Sequence, residues 1–358
     1  MSIAEFEGRI AERYDVIELL GQGGMGSVHR VRDERTGTER ALKLLNAKAA
    51  GDPLIGELFE REFHTLSELK HPSIIEVYDY GIADGCAYYT MELLGGQDLR
   101  ALGKVPWRRA CSLLRDLASS LAILHSRRRV HADISPRNVR CTLDGRAKLL
   151  DFGAMMPMGV AKRIVGTPPF IAPEMLHLQT LDGRTDLFAF GALAYLVLTG
   201  RLAYPANDVS QLHELWRAQV RPPAQLDPQI PAALSELVTE LIQINPNARP
   251  RSAGIVMERL CSIAGLPFEE SAEVADAYLA TPTLVGRETQ LGRARDLLSS
   301  TMRGRGGVLI ASAPAGGGRS RFLDACVLEA KLLGLQVVRI DPAAVEHAPY
   351  GAATALFR

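Results

Sequence analysis

Apolar and polar residues alternate over the first quarter of the chain in a way that predicts a β-sheet. Three alternating runs, YDVIELL, SVHRVRD and RALKLL, lie between turn signals from Tyr14 to about Leu45, and alternation with period two is the pattern of a half-buried strand. Two further strand-like runs follow at 74–80 and 86–92, while residues 56–69 carry apolar residues at helical spacing. The pattern predicts a five-stranded antiparallel sheet interrupted by one helix.

Helical patterns dominate the chain after the pair Gly95-Gly96. The predicted helices and short strands of this part are 107–126, 139–142, 147–150, 184–200 and 231–244. Strands followed by helices, without regular alternation between the two, are typical of an α+β fold. The sequence therefore predicts a sheet-rich half and a mainly helical half.

The most apolar stretch of the chain, residues 187–200, is too short to span a membrane. A bilayer requires roughly 20 apolar residues, and Arg201 follows this stretch at once, so a buried core helix is predicted. Residues 1–13 are charged and lack the apolar core of a signal peptide. The five cysteines are odd in number and scattered, which favours reduced thiols. We therefore expect a cytoplasmic protein with neither a membrane span nor an export signal.

Length and charge set limits on domain organisation and partners. With 358 residues, the chain exceeds the size at which one hydrophobic core usually suffices, so two domains, or one domain and a fragment, are expected. Residues 265–283 have Pro, acidic and small residues with little periodicity and predict a linker. Lys plus Arg and Asp plus Glu both number 41, so no overall charge favours nucleic acid or an anionic membrane as a partner.

The first strand runs into a glycine-rich stretch, GQGGMGSV, at residues 21–28. Glycine lets backbone amides approach phosphate oxygens closely, although glycine-rich turns also join many ordinary hairpins. Lys43 lies on the third predicted strand and Glu62 on the following helix, where an ion pair could fix the lysine against nucleotide phosphates. Each charge alone could equally be solvated, so the functional signal lies in the combination.

Further residues extend this pattern along the chain in a fixed order. They are Met91-Glu92, Asp133, Asn138, Asp151-Phe152-Gly153, Ala172-Pro173-Glu174, Asp186 and Arg249. Together with the glycine loop, Lys43 and Glu62, they make the chain from about Gly8 to Ala264 resemble a bacterial eukaryotic-like (Hanks-type) serine/threonine protein kinase. The resemblance also implies a buried ion pair between Arg249 and Glu174.

The resemblance implies the two-lobed kinase fold. The implied segments are an N-terminal tail at 1–13, a kinase domain at 14–264, an N-lobe at 14–92 and a C-lobe at 95–264. It also implies transfer of the γ-phosphoryl group of ATP to another bacterial signalling protein. The acceptor would be Ser or Thr, because Gly166-Thr167 resembles the substrate-docking loop of serine/threonine kinases. The sequence carries no signal for the stimulus or the oligomeric state.

The resemblance implies roles for single residues. Asn138 and Asp151 would hold Mg²⁺, and Asp133 would accept or orient the substrate hydroxyl proton. Lys43 would bind the phosphates, fixed by Glu62. The implied nucleotide-binding residues are Gly21, Gln22, Gly23, Gly24, Met25, Gly26, Val28, Ala41, Lys43, Met91, Glu92, Leu94, Asp98, Asn138 and Asp151. Among them, the backbone of Glu92 and Leu94 would hold the adenine edge beneath Val28 and Ala41.

The catalytic loop HADISPRN departs from the family pattern twice. Ser135 stands where a lysine normally neutralises the transferring phosphoryl group, and Arg137, four residues after Asp133, could supply that catalytic cation instead or could be only a surface arginine. Ala132 stands where an arginine would pair with a phosphorylated activation loop. Residues 151–166 contain no Ser, Thr or Tyr. A loop with no residue to phosphorylate has no use for that arginine, so its absence and the absence of hydroxyl residues are consistent. We expect activity that does not depend on phosphorylation of this loop.

A third departure is Arg140, at a position where related kinases usually place Leu or Met under the adenine ring. Its stem could still pack there, and its guanidinium could stack on the base. Arg140 bears on ATP affinity more than on catalysis, whereas Ser135 keeps one alternative open. In it, the chain is a pseudokinase scaffold that binds nucleotide without turnover and is coupled to a C-terminal ATPase-like module.

Residues 284–358 resemble the start of a P-loop ATPase of the AAA or STAND-like kind. The run LVGRETQL is followed by a predicted strand, GVLIASA, and by PAGGGRSRFLD entering a helix. In the pattern Gly-x-x-x-x-Gly-Lys-Ser, the four defined positions hold Ala313, Gly318, Arg319 and Ser320. The sequence stops before any acidic strand end that could hold magnesium, so a partial module is expected. A small α/β appendage is the alternative to a nucleotide site.

Overall fold

The computed structural model describes residues 8–23, 26–267, 287–313, 319–333 and 335. The chain divides into two units, residues 1–281 and 282–358, and each is described by itself. Several sets of residues singled out by the sequence lie outside the described part. They are residues 1–7 of the predicted tail, Gly24 and Met25 of the glycine-rich loop, residues 268–283 of the predicted linker, and residues 284–286, 314–318, 334 and 336–358 of the predicted P-loop segment.

An antiparallel sheet of six strands opens the first unit. The strands are β1 Arg9–Ile10, β2 Tyr14–Gln22, β3 Gly26–Asp33, β4 Glu39–Leu45, β5 Val77–Ala83 and β6 Cys86–Met91. Their spatial order is β1-β2-β3-β4-β6-β5. All five predicted strands are confirmed, but the predicted number is wrong because β1 lies within the supposed tail. Two residues are too few to show alternation, and β1 forms because Ile10 pairs with Tyr14 and both are buried.

A helix lies between β4 and β5 along the chain, as predicted. A short helix, α1 Ala47–Ala50, precedes it, and the long helix is α2 Pro53–Glu68. It begins three residues before the predicted range because a proline in the first turn of a helix needs no partner for an amide N–H. The side chains of Phe59 and Leu66 are buried. The apolar stripe of the sequence therefore lies in the core, and α2 is fixed in position.

The second half of the first unit is mainly helical. Its helices are α3 Leu99–Leu102, α4 Trp107–Ser126, α5 Pro173–Leu176, α6 Gly183–Thr199, α7 Leu212–Leu215, α8 Pro223–Leu226, α9 Ala232–Leu241 and α10 Ala253–Ala264. Its short strands are β7 Gln97–Asp98, β8 Arg129–Val130, β9 Val139–Cys141, β10 Ala147–Leu149, β11 Met156–Pro157, β12 Gly159–Val160 and β13 Thr180–Leu181. Short 3₁₀ helices lie at Pro168–Phe170, Val209–Gln211 and Pro246–Ala248. The two-lobed α+β architecture is thus confirmed.

Helix α6 is the central element of the helical lobe and is buried over nearly its whole length, as predicted for the most apolar stretch. Asp182 caps its N-terminus by accepting the backbone N–H of Arg184, and Gly200 ends it with a φ of 73°. A Cβ atom at Gly191 would lie 2.5 Å from Cβ of Leu241 on α9. The two helices approach so closely that only glycine fits at this contact.

A buried ion pair joins α5 to the loop before α10. The guanidinium of Arg249 lies 2.6 and 2.9 Å from the two carboxylate oxygens of Glu174, and both residues are 3% exposed. Arg249 also donates to the carbonyl oxygens of Gln243, Ile244 and Arg184. These extra bonds matter because a buried charge is stable only when its hydrogen-bonding groups are satisfied. The predicted pair is confirmed.

The described part of the second unit consists of two helices, α11 Glu288–Met302 and α12 Arg319–Leu332. The strand predicted at 307–313 is wrong. These residues are irregular, with Val308 85% and Ile310 84% exposed. A strand needs a partner, and the described residues of this unit supply none. Of the predicted P-loop positions, Arg319 and Ser320 start α12.

Across the described ranges of both units, every helix is too short or too polar to span a bilayer.

Candidate active site

Lys43 lies at the centre of an ion-pair cluster between the sheet and helix α2. Its Nζ is 3.0 and 3.2 Å from the two carboxylate oxygens of Glu62 and 3.0 Å from Oδ1 of Asp151. Glu62 is 4% exposed, and its Oε1 also accepts the backbone N–H of Phe152 at 3.2 Å. The structure thus brings together three of the residues that the sequence predicted to act on nucleotide phosphates.

Mutual attraction keeps the groups of this cluster charged. Burial opposes the charge on Lys43, but Tyr89, Glu62 and Asp151 outweigh it and raise the pKa of the ammonium well above its usual range. The Lys43 ammonium in turn lowers the pKa of Asp151, although burial opposes that shift. At neutral pH the cluster therefore presents a permanent cation and an ionised carboxylate. An ionised carboxylate is the ligand that Mg²⁺ prefers.

Two residues of the site have a positive φ although neither is glycine, Ala132 at 67° and Asp151 at 53°. Such backbone conformations cost about 1–3 kcal/mol and persist only where neighbours hold them. The buried carboxylate of Asp186 holds the first, because it accepts the backbone N–H groups of His131 and Ala132, each at 2.9 Å. The ion pair with Lys43 holds the second. Both backbone conformations are thereby held by neighbouring charged groups.

The carboxylate of Asp133 is fixed by two hydrogen bonds, one on each oxygen. Thr167 donates its hydroxyl to Oδ1 at 2.8 Å, and Nδ2 of Asn138 donates to Oδ2 at 2.9 Å. The amide oxygen of Asn138 is therefore the group available to a metal ion, beside the Asp151 carboxylate. No three His, Cys, Asp or Glu side chains converge on a metal-sized site in the described ranges. Magnesium does not need such a set, because nucleotide phosphates and water supply its other ligands.

The two unusual positions of the catalytic loop differ in exposure. Ser135 is 2% exposed, and its carbonyl accepts the backbone N–H of Asn138 at 3.0 Å. Arg137 is exposed and, in the part of the chain that the structure covers, forms neither an ion pair nor a hydrogen bond. Its guanidinium is thus uncommitted among the described residues, and it follows Asp133 by four positions in the same loop.

The glycine-rich loop joins β2 to β3 in a hairpin closed by the bond from Gly23 N–H to the Gly26 carbonyl, 2.8 Å. A Cβ at Gly26 would lie 2.1 Å from the Leu44 carbonyl oxygen, so the backbone requires glycine there. A Cβ at Gly21 or Gly23 would instead meet no described atom within 4 Å. The space beside these two glycines is open, which fits a nucleotide phosphate. The loop is therefore compatible with the predicted role.

The predicted adenine site lies where β4 meets β6. Ala41, which is buried, pairs with Met91. The Glu92 amide donates to the Glu76 carbonyl at 2.9 Å, so its own carbonyl is the backbone group left for adenine. Asp98 caps α3 through the bond from Ala101 N–H to its Oδ1. The second carboxylate oxygen of Asp98 accepts no hydrogen bond from the described residues and is open to a nucleotide.

The Arg140 side chain bonds to the backbone of the segment between strands β6 and β7. Its Nε and Nη2 donate to the carbonyl oxygens of Gly95 and Gly96 at 3.2 and 2.9 Å. The guanidinium is therefore committed to these carbonyls, and the stacking on adenine considered from the sequence would require those bonds to break. The aliphatic stem is the part of Arg140 left to contact the base.

Comparison with known proteins agrees with this geometry. The family model described as protein kinase domain matches residues 14–260. The chain belongs to the protein kinase family. It is 30% identical over 284 residues to serine/threonine-protein kinase PknB of Mycobacterium leprae, covering 75% of this chain and 46% of the relative.

Two further relatives come from other genera. A probable serine/threonine-protein kinase of Streptomyces coelicolor is 31% identical over 261 residues, 68% of this chain and 39% of the relative. Serine/threonine-protein kinase pkn2 of Myxococcus xanthus is 32% identical over 276 residues, 70% of this chain and 32% of the relative. The chain spans less than half the length of these relatives. Membership of the family implies the use of ATP and a divalent metal ion.

The activation segment of the kinase domain, residues 151–166, is held by strand pairing and apolar contacts. Its β11 pairs with β8, and its β12 pairs with β13. The apolar residues of the segment and of the surface beneath it form one cluster. Its members include Val130, Ala132, Met156, Met158, Ala161, Val165, Ile171, Met175 and Leu181. Ala132, where an arginine would bind a phosphate, is thus part of an apolar contact.

Two residues of the site were missed from the sequence. The hydroxyl of Thr167, which binds Asp133, was attributed only to substrate docking. Tyr89 was not singled out, although its hydroxyl donates to Oε1 of Glu62 at 3.0 Å. Tyr89 lies directly opposite Lys43 on the neighbouring strand and therefore points to the same face of the sheet, but this register is not given by the sequence pattern alone.

Proposed function

We propose that this protein is a serine/threonine protein kinase that transfers the γ-phosphoryl group of ATP to a Ser or Thr of another bacterial signalling protein. The observation that carries the proposal is the bonding of Lys43 to both Glu62 and Asp151. Such a cluster positions a cation and a metal-binding carboxylate for phosphoryl transfer. The free state of all five cysteines supports a reducing compartment, and we propose the cytoplasm.

Each residue of the candidate site would have its own role in phosphoryl transfer. Asn138 and Asp151 would hold Mg²⁺, which neutralises phosphate oxygens when bound. Lys43 would bind the phosphates from the side of the sheet. Asp133, held by two hydrogen bonds, would orient the acceptor hydroxyl and accept its proton. Arg137, exposed and uncommitted, would supply the cation that Ser135 cannot.

The test is transfer of labelled phosphate from ATP to a panel of generic acceptor proteins by the full chain, followed by phosphoamino-acid analysis. We expect Mg²⁺-dependent labelling of Ser or Thr that disappears in Asp151→Asn and Lys43→Met, with thermal unfolding close to that of the parent. Both substitutions change the phosphate site and leave the hydrophobic core intact. Equal labelling by Asp151→Asn would contradict the proposal.

A second candidate is a pseudokinase scaffold that binds nucleotide without turnover. Ser135 favours it, because the usual catalytic-loop cation is absent from that position. Measurable ATP binding together with no ATP consumption above the Asp151→Asn control would support the scaffold. Consumption that requires Asp133 would reject it.

For residues 284–358 we propose a partial P-loop segment. In its favour, helix α12 starts at Arg319, where the sequence pattern has the helix that follows the loop. Against it, residues 307–313 lack the strand that precedes such a loop. Nucleotide binding by this segment is tested by the number of ATP molecules that the chain binds in calorimetric titration.

A further inference from the structure

Tyr89 is a buried tyrosine beside the ion-pair cluster. It lies on β6 opposite Lys43 on β4 and is 2% exposed. Its hydroxyl donates to Oε1 of Glu62 at 3.0 Å, the same oxygen that accepts from Lys43 and from the Phe152 amide. Tyr89 is therefore one of three donors that fix the orientation of the Glu62 carboxylate.

The ring of Tyr89 contacts the same turn of helix α2. Its centroid lies 4.9 Å from that of Phe59 and 6.0 Å from that of Phe63, the residues three before and one after Glu62. The Lys43 ammonium lies 5.7 Å from the Tyr89 centroid, within the range of a cation–π contact. One side chain of the sheet thus contacts both the helix and the ion pair that the helix forms.

The activation segment lacks the means by which phosphorylation could order this cluster. It contains no hydroxyl residue, and position 132 is alanine. Helix α2 must therefore be kept against the sheet by contacts already present in the unmodified chain. Two side chains of the sheet reach Glu62, the Lys43 ammonium from β4 and the Tyr89 hydroxyl from β6, and the hydroxyl leaves the ammonium free to contact phosphates.

We propose that Tyr89 is a positioning residue whose hydroxyl holds Glu62 on Lys43, so that the phosphate-binding lysine is in place without phosphorylation of the activation segment. This inference rests on the proposed phosphoryl transfer for its kinetic consequence. Its consequence for ATP binding is independent of transfer.

The test is Tyr89→Phe, which keeps the ring and removes only the hydroxyl. Losing one hydrogen bond to a buried carboxylate should lower kcat/KM for ATP about tenfold and weaken Mg²⁺-dependent ATP binding, measured by calorimetry, about fivefold. The matched control is Tyr80→Phe. Tyr80 lies in the same aromatic cluster, with its ring 5.4 Å from that of Phe63, but its hydroxyl bonds to none of the described residues. Tyr80→Phe should match the parent in both measurements.

A double-mutant cycle separates positioning from general stabilisation. In a Glu62→Gln background, Tyr89→Phe should change kcat/KM and ATP affinity less than twofold, because the carboxylate it positions is gone. A loss of equal size in both backgrounds would overturn the proposal, as would parental kinetics and affinity in Tyr89→Phe. If the parent binds ATP but transfers no phosphate, the proposed function fails, and the affinity measurements alone decide the role of Tyr89.

Discussion

Arg137 is the single Lys or Arg of the catalytic loop HADISPRN. A typical serine/threonine kinase would place its cation two residues after Asp133, where this chain has the buried Ser135. Negative charge on the phosphoryl oxygens needs neutralising mainly in the transition state. A cation that acts there affects turnover far more than nucleotide affinity. Arg137 is exposed and bonds to none of the described residues, so its guanidinium is the group of this loop left for that role.

We predict that Arg137→Ala lowers kcat about a hundredfold and leaves the dissociation constant for ATP within about twofold. Adding Ser135→Lys to Arg137→Ala should recover a good part of the lost rate, because an ammonium then supplies the charge from the usual position. Ser135→Lys alone should change little. The measurements are steady-state kinetics and calorimetric ATP binding. Turnover by Arg137→Ala at the parental rate would show that Asp133 works without a local cation.

The sequence identified the charged residues of the site but not the hydroxyl groups that orient them. Glu62 and Asp133 belong to spaced motifs, which can be recognised in a linear chain. Tyr89 and Thr167 make contacts across 27 and 34 residues of sequence. Such contacts depend on how strands and loops pack, so neither residue type nor spacing indicated them. The bonds of Arg140 to Gly95 and Gly96 were missed for the same reason.

At the scale of single elements, the activation segment is ordered by pairing and apolar burial. Its two short strands pair with β8 and β13, and Met156 and Met158 pack on the cluster around Val130 and Leu181. Burial of apolar surface is worth roughly 25 cal/mol per Å² and requires no modification. The segment is therefore held in place by contacts of the unmodified chain.

From this we predict activity that is independent of phosphorylation in the activation segment. Protein produced together with a broad-specificity phosphatase should have the same kcat as untreated protein. Mass spectrometry should find no phosphate on residues 151–166 in either sample. A large fall in kcat after phosphatase treatment would show that another phosphorylated residue controls the enzyme.

His71 joins the loop after α2 to helix α4 and makes this junction sensitive to pH. Its Nδ1 accepts the Ser73 amide at 3.0 Å, so its Nε2 carries the proton and faces the Ser119 hydroxyl at 3.1 Å. Burial, with Arg146 and Lys148 nearby, lowers the pKa of His71 to about 4. Protonation therefore opposes the fold.

The sign of the effect follows from linkage. Because the folded pKa lies below the unfolded value of about 6.5, the stabilisation from neutral His71 is present above pH 6.5 and is lost as the pH falls toward 4. Between pH 7 and pH 5 the parent should lose about 2 kcal/mol through this residue. Urea unfolding at both pH values should show a smaller loss for His71→Gln. Equal losses in the two proteins would contradict the assignment.

At the scale of the whole molecule, the predicted elements that proved right include the five strands of the sheet and the helices with a long internal pattern. Helix α4 spans 107–126 as predicted, because twenty residues display an amphipathic period clearly. Strand β1 was missed and the strand at 307–313 was wrong because strands exist only by pairing. The two residues of β1 pair with β2. The described part of the second unit offers no partner strand to residues 307–313. The boundary assigned at 265–283 stays a prediction.

The number of ATP molecules bound per chain distinguishes one nucleotide site from two. The kinase domain retains Lys43, Asn138 and Asp151, whereas the P-loop pattern has Arg319 at its lysine position and lacks a preceding strand. Lysine contacts the β- and γ-phosphates of a bound nucleotide as a compact charge, and the bulkier, planar guanidinium does not replace it in that geometry. We therefore predict one ATP per chain in calorimetric titration with Mg²⁺, and loss of that binding in Lys43→Met. Two equivalents in the parent, with one surviving in Lys43→Met, would instead establish nucleotide binding by residues 284–358.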